Sequence, residues 1–298
     1  MKELLAIINP KSGTHDQAMV PEVIERVVDP GRFSVLMREV SREGDAERFA
    51  REAVSLGCYG VLAVGGDGTI NGAARGLIGT DVALAVVPCG SGNGLARHLG
   101  IPLDLEGAID VVNRDDVQPL DYGTLNGEPF LCTCGVGLDA QVAHKFQLAG
   151  TRGFLPYFKS AITEFLTYKP GTYDISIDGN RFSIKALDIT CCNTAQFGFD
   201  SYIAPHASAQ DGLLDVTIVS PLPLIGAPIV GLSLFTKNID KQHWVHCFRG
   251  KQVHMHRHQA GPMHIDGDPV KMPSTVEIEC HHAGIRVFLP GVEGEKLP

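Results

Sequence analysis

The chain has 298 residues and a formal net charge of −9; 44% of its residues are hydrophobic and 20% are charged. This apolar fraction can form a packed core, which excludes a disordered chain, and the length predicts one large domain or two ordinary ones. An acidic chain without a basic tail neutralises few phosphates, so we expect no nucleic-acid partner. The eight cysteines lack zinc-finger spacing and are too few for a disulfide scaffold, so we expect buried thiols in a reducing compartment.

One uncharged run, Val216 to Thr236, is the only serious candidate for a membrane-spanning helix. Pro221, Pro223 and Pro228 interrupt it, whereas a spanning helix needs about 20 apolar residues with intact backbone hydrogen bonds. The run is therefore interpreted as a strand, a proline-rich bend and a buried helix. The apolar run at residues 4–8 is too short for a signal-peptide core, so we expect a soluble or membrane-surface protein.

The chain up to about residue 120 alternates between predicted strands and helices. Continuous apolar runs of this kind are typical of strands that are buried on both faces. Predicted strands lie at residues 4–8, 33–37, 60–64 and 82–87. Asp45 begins a predicted helix with apolar residues on one face, and Gly57 ends it. The alternation predicts a parallel sheet with helices on both faces.

Beyond Leu120 the pattern changes to the alternation of polar and apolar residues that is typical of antiparallel strands. Tyr173–Ile177 alternates strictly and is followed by the turn dipeptide Asp178-Gly179, which predicts a hairpin. Further strands are predicted at residues 213–219, 251–256, 275–280 and 285–289, and a helix at 154–168. We therefore predict a second, mostly antiparallel β domain.

Three loops of small residues follow predicted buried strands. The segment Gly65–Asn71 reads Gly-Gly-Asp-Gly-Thr-Ile-Asn, and glycine N–H groups at the start of a helix form a cradle for an anion. An acid inside such a cradle, Asp67, is explained if it holds Mg²⁺ beside a phosphate. Asn9–Gly13 and Pro88–Gly94 follow two other strands, so we expect a nucleotide site at the carboxyl edge of the sheet. The P-loop, dinucleotide-binding and protein-kinase signatures are absent.

These motifs resemble the diacylglycerol kinase catalytic family, which also includes sphingosine kinases, ceramide kinases and small bacterial lipid kinases. The segments that carry the resemblance extend over essentially the whole chain: Asn9–Gly13, Gly65–Thr69, Gly90–Asn93, Asp121–Gly123, Gly135–Asp139, Asp211–Asp215 and Asp266–Asp268. The resemblance implies an α/β ATP-binding domain of the NAD kinase/phosphofructokinase type at residues 1–120, joined by a returning strand at 285–298. It also implies a C-terminal β-sandwich domain for the lipid substrate at residues 121–284, with the active site in the cleft between the domains.

The resemblance further implies transfer of the γ-phosphate of ATP, with Mg²⁺, to the primary hydroxyl of a diacylglycerol-, sphingosine- or ceramide-like lipid. The implied catalytic residues are Asp67, Asp266 and Asp268. The implied ATP contacts are Asn9, Pro10, Lys11, Ser12, Gly13, Gly65, Gly66, Asp67, Gly68, Thr69, Ile70, Asn71, Ser91, Gly92 and Asn93. A structural Mg²⁺ site is implied at Asp211, with the backbone carbonyls of Ser208 and Leu213.

Three positions depart from the family pattern. Asp268 stands where the family carries Glu as general base, and Val40 stands where a Thr is usual. Gly94 stands where bacterial diacylglycerol kinases usually carry Asp, which is more similar to sphingosine and ceramide kinases. Two alternatives remain open: a soluble kinase similar to NAD kinase, and a non-catalytic regulator that binds lipid or nucleotide. Asp121 and Asp139 fit either an active site or a buried structural network.

The expected partners are ATP and a lipid substrate at the membrane surface. Five Lys or Arg residues lie between Lys237 and Arg257, against the single acid Asp240. This segment is interpreted either as a basic patch that faces anionic lipid or as an ordinary solvated pair of strands. The resulting expectation is a cytoplasmic protein that associates peripherally with the inner face of the membrane, with a homodimer left open.

Overall fold

The computed structural model describes residues 1–13, 17–149 and 163–291. The chain divides into two compact units, one formed by residues 1–120 with a return segment from Ala283, the other by residues 121–282. Most of the helix predicted at residues 154–168 lies outside the described residues. The described part of that range begins at residue 163, and residues 163–167 are helical. Residues 292–298 of the predicted returning segment also lie outside them.

The first unit is an α/β structure. Its elements are β1 (Lys2–Ile8), a 3-10 turn (Gln17–Met19), α1 (Val20–Val27), β2 (Phe33–Glu39), α2 (Asp45–Leu56), β3 (Gly60–Gly65), α3 (Asp67–Leu77), β4 (Ala83–Pro88), α4 (Gly94–His98), α5 (Leu105–Arg114) and the start of β5 (Val117–Leu125). The parallel sheet has the order β2-β1-β3-β4, and the last strand of the chain continues it where Val287 pairs with Leu84.

Burial explains why these apolar runs became central strands. Every residue of β3 and of β4 is buried, although successive side chains point to opposite faces. Both faces of the sheet are therefore covered, which confirms the predicted parallel sheet. The chain leaves β1 towards β2 at one edge and then crosses to β3 on the other side of β1. This reversal creates a crevice between the carboxyl ends of β1 and β3, where open α/β sheets bind ligands.

Helix α2 begins and ends where the sequence predicts. The Asp45 carboxylate accepts hydrogen bonds from the Ser41 and Arg42 backbone N–H groups at 3.0 and 3.1 Å, which fixes the entry to the helix. Gly57 ends it at φ +72°, a left-handed conformation that glycine adopts without steric cost. The C-terminal glycine signal is thus confirmed.

The second unit contains the antiparallel strands. Its elements are the end of β5, β6 (Glu128–Phe130), β7 (Thr133–Gly137), α6 (Leu138–Ala149), β8 (Gly171–Ile177), β9 (Asn180–Ala186), β10 (Asp188–Cys192), β11 (Leu214–Val219), α7 (Gly226–Phe235), a 3-10 turn (Ile239–Lys241), β12 (Val245–Gly250), β13 (Gln252–Arg257), β14 (Gly261–Ile265), β15 (Asp268–Met272) and β16 (Thr275–Phe288).

Two sheets of this unit share one apolar core. One has the order β16-β13-β8-β9 and the other β12-β11-β10-β7-β14-β15, with antiparallel pairing throughout both. Val253 and Ile278 of the first sheet belong to the same buried cluster as Val216 and Met263 of the second. This arrangement is a β-sandwich, as the sequence predicts.

Two sequence predictions for this unit, a hairpin and a break in the last strand, have different outcomes. The hairpin at Asp178-Gly179 is confirmed, with both residues at positive φ, as a two-residue type I′ turn requires. The residues predicted as two strands, 275–280 and 285–289, are in a strand up to Phe288, but the predicted break between them is wrong, because β16 continues through it. Within that interval His281 and His282 hydrogen-bond to Thr124 and Asp121, so the polar residues extend the strand instead of forming a turn.

The uncharged run from residue 216 also differs from its prediction. A strand, a bend and a helix are present as predicted, but helix α7 is not buried: it buries only Gly226, Val230 and Ser233. The absence of charge was interpreted as burial, whereas the opposite face of the helix is exposed and apolar. Among the described residues no helix has the length and hydropathy needed to span a bilayer. All eight cysteines are free thiols, and the predicted burial is confirmed for seven of them, whereas Cys247 is exposed.

Candidate active site

The three small-residue loops emerge from neighbouring strands of the first unit. They follow β1, β3 and β4, so all lie at the carboxyl edge of the parallel sheet. The Asn9 side-chain amide donates to the Thr69 hydroxyl at 2.8 Å, which joins the first loop to the second. This bond connects the residues after β1 to those after β3. The nucleotide site predicted at the carboxyl edge of the sheet therefore coincides with the crevice where the strand order reverses.

Asp67 joins the second loop to the third. Its Oδ2 accepts a hydrogen bond from the Asn93 N–H at 3.0 Å, and its Oδ1 accepts one from the Gly94 N–H at 3.1 Å. Burial raises the pKa of the Asp67 carboxyl, and the two backbone donors oppose that rise. Asp67 therefore also serves as an anchor for the start of α4, a role that the sequence did not indicate.

Glycines allow the loop backbones to approach one another. A Cβ on Gly90 would lie 2.9 Å from the Cα of Gly66, and one on Gly13, at φ +106°, would lie 2.3 Å from the Cys89 carbonyl oxygen. A Cβ on Gly68, at the first turn of α3, would meet no atom within 4 Å. The buried Oδ1 of Asn93 has no hydrogen-bond partner. An open, glycine-lined helix N-terminus fits the phosphates of a nucleotide, whereas Asn93 Oδ1 is an acceptor and would need a donor as its partner.

Not every predicted nucleotide contact is placed to make one. The side chain of Ile70 is 1% exposed and belongs to the core of α3, so burial removes it from the candidate contacts. Asn9, Ser12, Gly66, Asp67, Asn71 and Gly92 are partly exposed, and Pro10, Lys11, Gly13, Gly68 and Ser91 are exposed. Gly65, Thr69 and Asn93 are buried and act as supports. Fewer residues are therefore available to contact a nucleotide than the sequence motifs predict.

The second candidate region is the hairpin between β14 and β15. Asp266 and Gly267 form its two-residue turn at φ +49° and +86°. The Asp266 carboxylate accepts hydrogen bonds from the N–H groups of Leu131, Cys132 and Thr133 at 2.8–2.9 Å. Burial raises the pKa of Asp266 to about 6, against these three donors. Asp268 is exposed at the first position of β15. Asp266 thus fixes the turn and Asp268 faces solvent.

A buried network lies beside this turn. His264 on β14 contacts Asp139 at the start of α6, with 2.7 Å between His264 Nε2 and Asp139 Oδ2. The Thr190 hydroxyl lies 3.2 Å from Asp139 and 3.0 Å from Asp188, and Asp188 accepts the Asp139 N–H at 2.9 Å. The network joins β10, β14 and α6.

The direction of each pKa shift in this network follows from burial and the neighbouring charges. Burial alone would lower the pKa of His264, but the adjacent Asp139 carboxylate outweighs burial and raises it. Burial would raise the pKa of Asp139, and His264 outweighs burial and lowers it. Burial and the Asp139 charge together raise the pKa of Asp188 well above its usual range. The arrangement therefore favours the charged forms of His264 and Asp139 and the neutral form of Asp188. Asp139 is therefore part of a structural network.

Asp121 also belongs to a buried network. Its Oδ2 accepts the Gly212 N–H at 2.6 Å, and its Oδ1 lies 2.8 Å from His282 Nδ1. Asp121 is 1% exposed, and its own N–H donates to the Ala209 carbonyl at 2.7 Å. The carboxylate therefore holds the 209–212 loop in place.

The Asp211 carboxylate, predicted to hold a structural Mg²⁺ together with the backbone carbonyls of Ser208 and Leu213, already has hydrogen-bond partners within the protein. The Asp211 carboxylate accepts the Leu213 N–H at 3.0 Å and a hydrogen bond from the Arg249 guanidinium. Arg249 also donates to Asp215 at 3.3 Å. Its fixed charge thus already compensates the two acids that a cation would neutralise. Across the residues that the structure describes, no group of three or more His, Cys, Asp or Glu could hold a metal ion.

Two family models match the chain. The model of the diacylglycerol kinase catalytic domain matches residues 3–125, and that of the YegS C-terminal NAD kinase beta sandwich-like domain matches residues 132–288. The chain belongs to the diacylglycerol kinase catalytic-domain family. In this kinase family its N-terminal part is the α/β catalytic domain and its C-terminal part the β-sandwich, in agreement with the two units described above.

Named relatives support the same family. A Klebsiella pneumoniae protein named "probable lipid kinase YegS-like" is 32% identical over 230 residues, 75% of this chain and 76% of that protein. The Bacillus subtilis diacylglycerol kinase is 27% identical over 304 aligned positions, covering 100% of this chain and 99% of the relative. An uncharacterised Synechocystis protein is 28% identical over 238 residues, 77% of this chain, and the chain spans about half of it (54%).

A solved structure shows the same fold. The crystal structure of a diacylglycerol kinase from Bacillus anthracis superimposes with a TM-score of 0.75 at 22% identity, covering 97% of this chain and 96% of that one.

Sequence reasoning missed four residues of this diacylglycerol kinase family member. They are His264, Asp188, Arg249 and His282, which complete the polar networks around Asp139, Asp211 and Asp121. The signal for Asp188 was available, because an acid beside the apolar stretch 189–192 of a buried strand needs a partner. The signal for His264 was its position two residues before Asp266.

We expect Gly135→Ala to destabilise the second unit by about 1–3 kcal/mol, as overpacked cores generally do. A Cβ at Gly135 would lie 2.4 Å from Asp139 Oδ2 and 2.6 Å from His264 Nε2, so the new methyl group would force the ion pair apart. Urea unfolding monitored by circular dichroism measures the loss. Gly231→Ala in α7 is the matched control, since its Cβ would meet nothing within 4 Å and the change should be neutral or stabilising. Equal effects of the two substitutions would contradict this packing.

The His264–Asp139 pair predicts a pH dependence of stability. Because folding raises the pKa of His264 above 6.5, its stabilising contribution is fully present below that pH and is lost as pH rises through the folded pKa. We expect the free energy of unfolding to fall over this window in the wild type and to fall less in His264→Gln. Urea titrations from about pH 6 to about pH 9 measure both slopes. His258→Gln, at an exposed position, is the control and should show the wild-type slope. A wild-type slope in His264→Gln would refute the contribution of the His264–Asp139 pair.

Proposed function

We propose that this protein is an ATP- and Mg²⁺-dependent lipid kinase. It transfers the γ-phosphoryl group to the primary hydroxyl of a diacylglycerol-, sphingosine- or ceramide-like lipid. Membership of the diacylglycerol kinase family supports the reaction class. The observation that carries the proposal is the joined set of three loops, in which Asp67 binds two backbone N–H groups of the third loop while the N-terminus of α3 stays open.

The first unit supplies the nucleotide contacts. Backbone N–H groups at the start of α3 bind phosphate oxygens, and the exposed ammonium of Lys11 adds a positive charge on the first loop. Asn9 and Thr69 hold these loops at a fixed spacing through their hydrogen bond. Asp67 would hold Mg²⁺ beside the phosphates, where the ion would neutralise negative charge and so favour transfer of the γ-phosphoryl group. The loops are held before substrate arrives, which lowers the cost of positioning.

The second unit supplies the base. Asp268 accepts the proton of the lipid hydroxyl while the hydroxyl oxygen attacks the γ-phosphorus of ATP. A hydroxyl is a weak nucleophile, so its attack needs such a general base. Asp266 is committed to three backbone N–H groups, so it orients the turn and leaves the proton transfer to Asp268. Asp268 is one methylene shorter than the family's glutamate, so the hydroxyl must come closer to this hairpin.

The chemistry of the lipid acceptor also determines the location that we propose. Diacylglycerol, ceramide and sphingosine each present a primary hydroxyl next to apolar chains, so one base serves all three. Gly94 favours a sphingoid acceptor by its similarity to the sphingosine and ceramide kinase pattern. Such lipids reside in bilayers, so we propose a cytoplasmic protein that works at the inner face of the membrane.

The experiment that tests this function uses radiolabelled ATP, Mg²⁺ and detergent micelles that carry one candidate acceptor each. Diacylglycerol, ceramide and sphingosine are compared with NAD in the absence of lipid. We expect one lipid class to become labelled at a rate that depends on Mg²⁺. Labelling of NAD alone would establish a soluble kinase similar to NAD kinase. Binding of ATP without labelling of any acceptor would establish a non-catalytic regulator.

A further inference from the structure

Helix α7 and the bend before it expose an apolar surface. Ile225 is 78% exposed, Leu224 66% and Leu232 65%, and Ile229 and Phe235 are also exposed. Ile225, Ile229 and Leu232 are spaced by four and three residues, so they lie along one face of the helix. The opposite face packs on the protein through Val230 and Ser233. We call the five exposed apolar residues the α7 patch. A water-soluble protein rarely leaves such a patch uncovered.

The α7 patch has no charged residue within it and has lysines at one end. No charged residue occurs from Val216 to Thr236, and Lys237 and Lys241 follow at once. Lys237 lies 4.3 Å above the ring of Tyr202, and Lys241 donates to Asn238 at 2.6 Å. The nearby acid, Asp240, lies 3.4 Å from His206. Two lysines against the one acid Asp240 leave a small positive charge beside an apolar face, on a chain of net charge −9, and this favours a negatively charged partner.

This charge pattern distinguishes a lipid surface from a second copy of the chain. A symmetric dimer would bring the two α7 patches and both pairs of lysines together, with a single acid, Asp240, in each copy to offset two lysines. An anionic bilayer satisfies both features, because acyl chains accept the apolar side chains and headgroups attract the lysines.

We propose that the α7 patch inserts into the interface of an anionic lipid bilayer, with Lys237 and Lys241 on the headgroups. The inference deepens the proposed function, since it rests on a lipid acceptor and assigns the surface by which the enzyme reaches it. Docking of this kind needs both an apolar and an electrostatic contribution, because either one alone gives only weak, reversible binding. The protein is then attracted locally to a membrane despite its overall negative charge.

The test compares full-length variants by co-sedimentation with vesicles of phosphatidylcholine alone and of an equimolar mixture with phosphatidylglycerol. We expect the wild type to bind the mixed vesicles and the double variant Ile225→Glu/Leu232→Glu to bind at least about tenfold more weakly. Lys237→Glu/Lys241→Glu should weaken binding to mixed vesicles only. Leu56→Glu is the matched control, because Leu56 is 53% exposed on α2 of the other unit. Thermal melts verify that each variant is folded.

Three results would overturn the inference: no binding by the wild type, equal binding by the Ile225→Glu/Leu232→Glu variant, or a wild-type dimer that this variant splits without losing vesicle binding. Analytical ultracentrifugation detects the last. A short-chain, water-soluble form of the acceptor labelled in the micelle assay (diacylglycerol, ceramide or sphingosine) separates docking from catalysis. The double variant should phosphorylate it as the wild type does, while losing activity on long-chain lipid in vesicles. If the wild type phosphorylates no acceptor yet binds mixed vesicles through the α7 patch, docking stands and the proposed function fails.

Discussion

Replacing Asp268 with alanine is expected to lower kcat for lipid phosphorylation by about 10²–10⁴-fold, the range usual for loss of a general base. The substitution removes the acceptor for the hydroxyl proton. It leaves the turn intact, because Asp266 and its three backbone donors hold that turn. The affinity for ATP should not change, since Asp268 belongs to the second unit and the nucleotide loops to the first. Initial rates with a saturating lipid, together with calorimetry of nucleotide binding, measure the two quantities.

Two control variants accompany Asp268→Ala. Asp268→Glu restores the residue type that the family carries at this position and should retain activity. Glu128→Gln removes a different exposed acid of the same unit and should leave the rate unchanged. If Asp268→Ala keeps the wild-type rate, another group is the base. If Asp268→Ala loses ATP binding, its effect is not that of a base.

Asp67→Asn is expected to lower kcat/KM for ATP by about 100-fold, because small misplacements of a binding loop cost roughly that factor. Each Asp67 oxygen accepts one backbone N–H, from Asn93 and Gly94. An asparagine has a single acceptor oxygen, so its NH₂ group must face one of these donors and push the third loop away. The substitution also removes the carboxylate proposed to lie near Mg²⁺.

Asp104→Asn is the control for the structural part of that effect. Asp104 caps α5 through the Gly107 N–H at 2.8 Å and belongs to none of the three loops. Because asparagine is also a good N-cap, Asp104→Asn should change neither stability nor activity appreciably. Steady-state kinetics at varied ATP and a thermal melt distinguish the two variants. Wild-type kcat/KM in folded Asp67→Asn would contradict the role of Asp67 as the anchor of the third loop.

The fold and the nucleotide loops could be predicted from sequence because their signals are local. The apolar run at residues 60–64 is buried at every position, so it could only be a covered strand. The loop that begins at Gly65 follows directly, and the edge of the sheet determines where the loop must lie. The same locality explains the hairpin at Asp178-Gly179, whose turn type depends on two residues alone.

The remaining features depend on contacts between distant residues. His264 and Asp139 are 125 residues apart, and no local pattern joins them. Arg249 pairs with Asp211 and Asp215 because β11 and β12 bring it next to Asp215. Strand β16 continues through His282 because Asp121 accepts its polar side chain. The exposure of α7 was mispredicted for a related reason: an uncharged helix is buried by the core or covered by something else, and sequence alone does not say which.

One measurement tests the central claim, that this chain transfers phosphate from ATP to a lipid hydroxyl. The wild type and Asp268→Ala are each incubated with ATP, Mg²⁺ and a total lipid extract, and mass spectrometry then compares every lipid class for gain of a phosphate. We expect one lipid class that bears a primary hydroxyl to gain phosphate with the wild type and not with Asp268→Ala. The absence of any phosphorylated lipid would contradict lipid kinase activity, and equal phosphorylation by both proteins would contradict the role of Asp268 as the base.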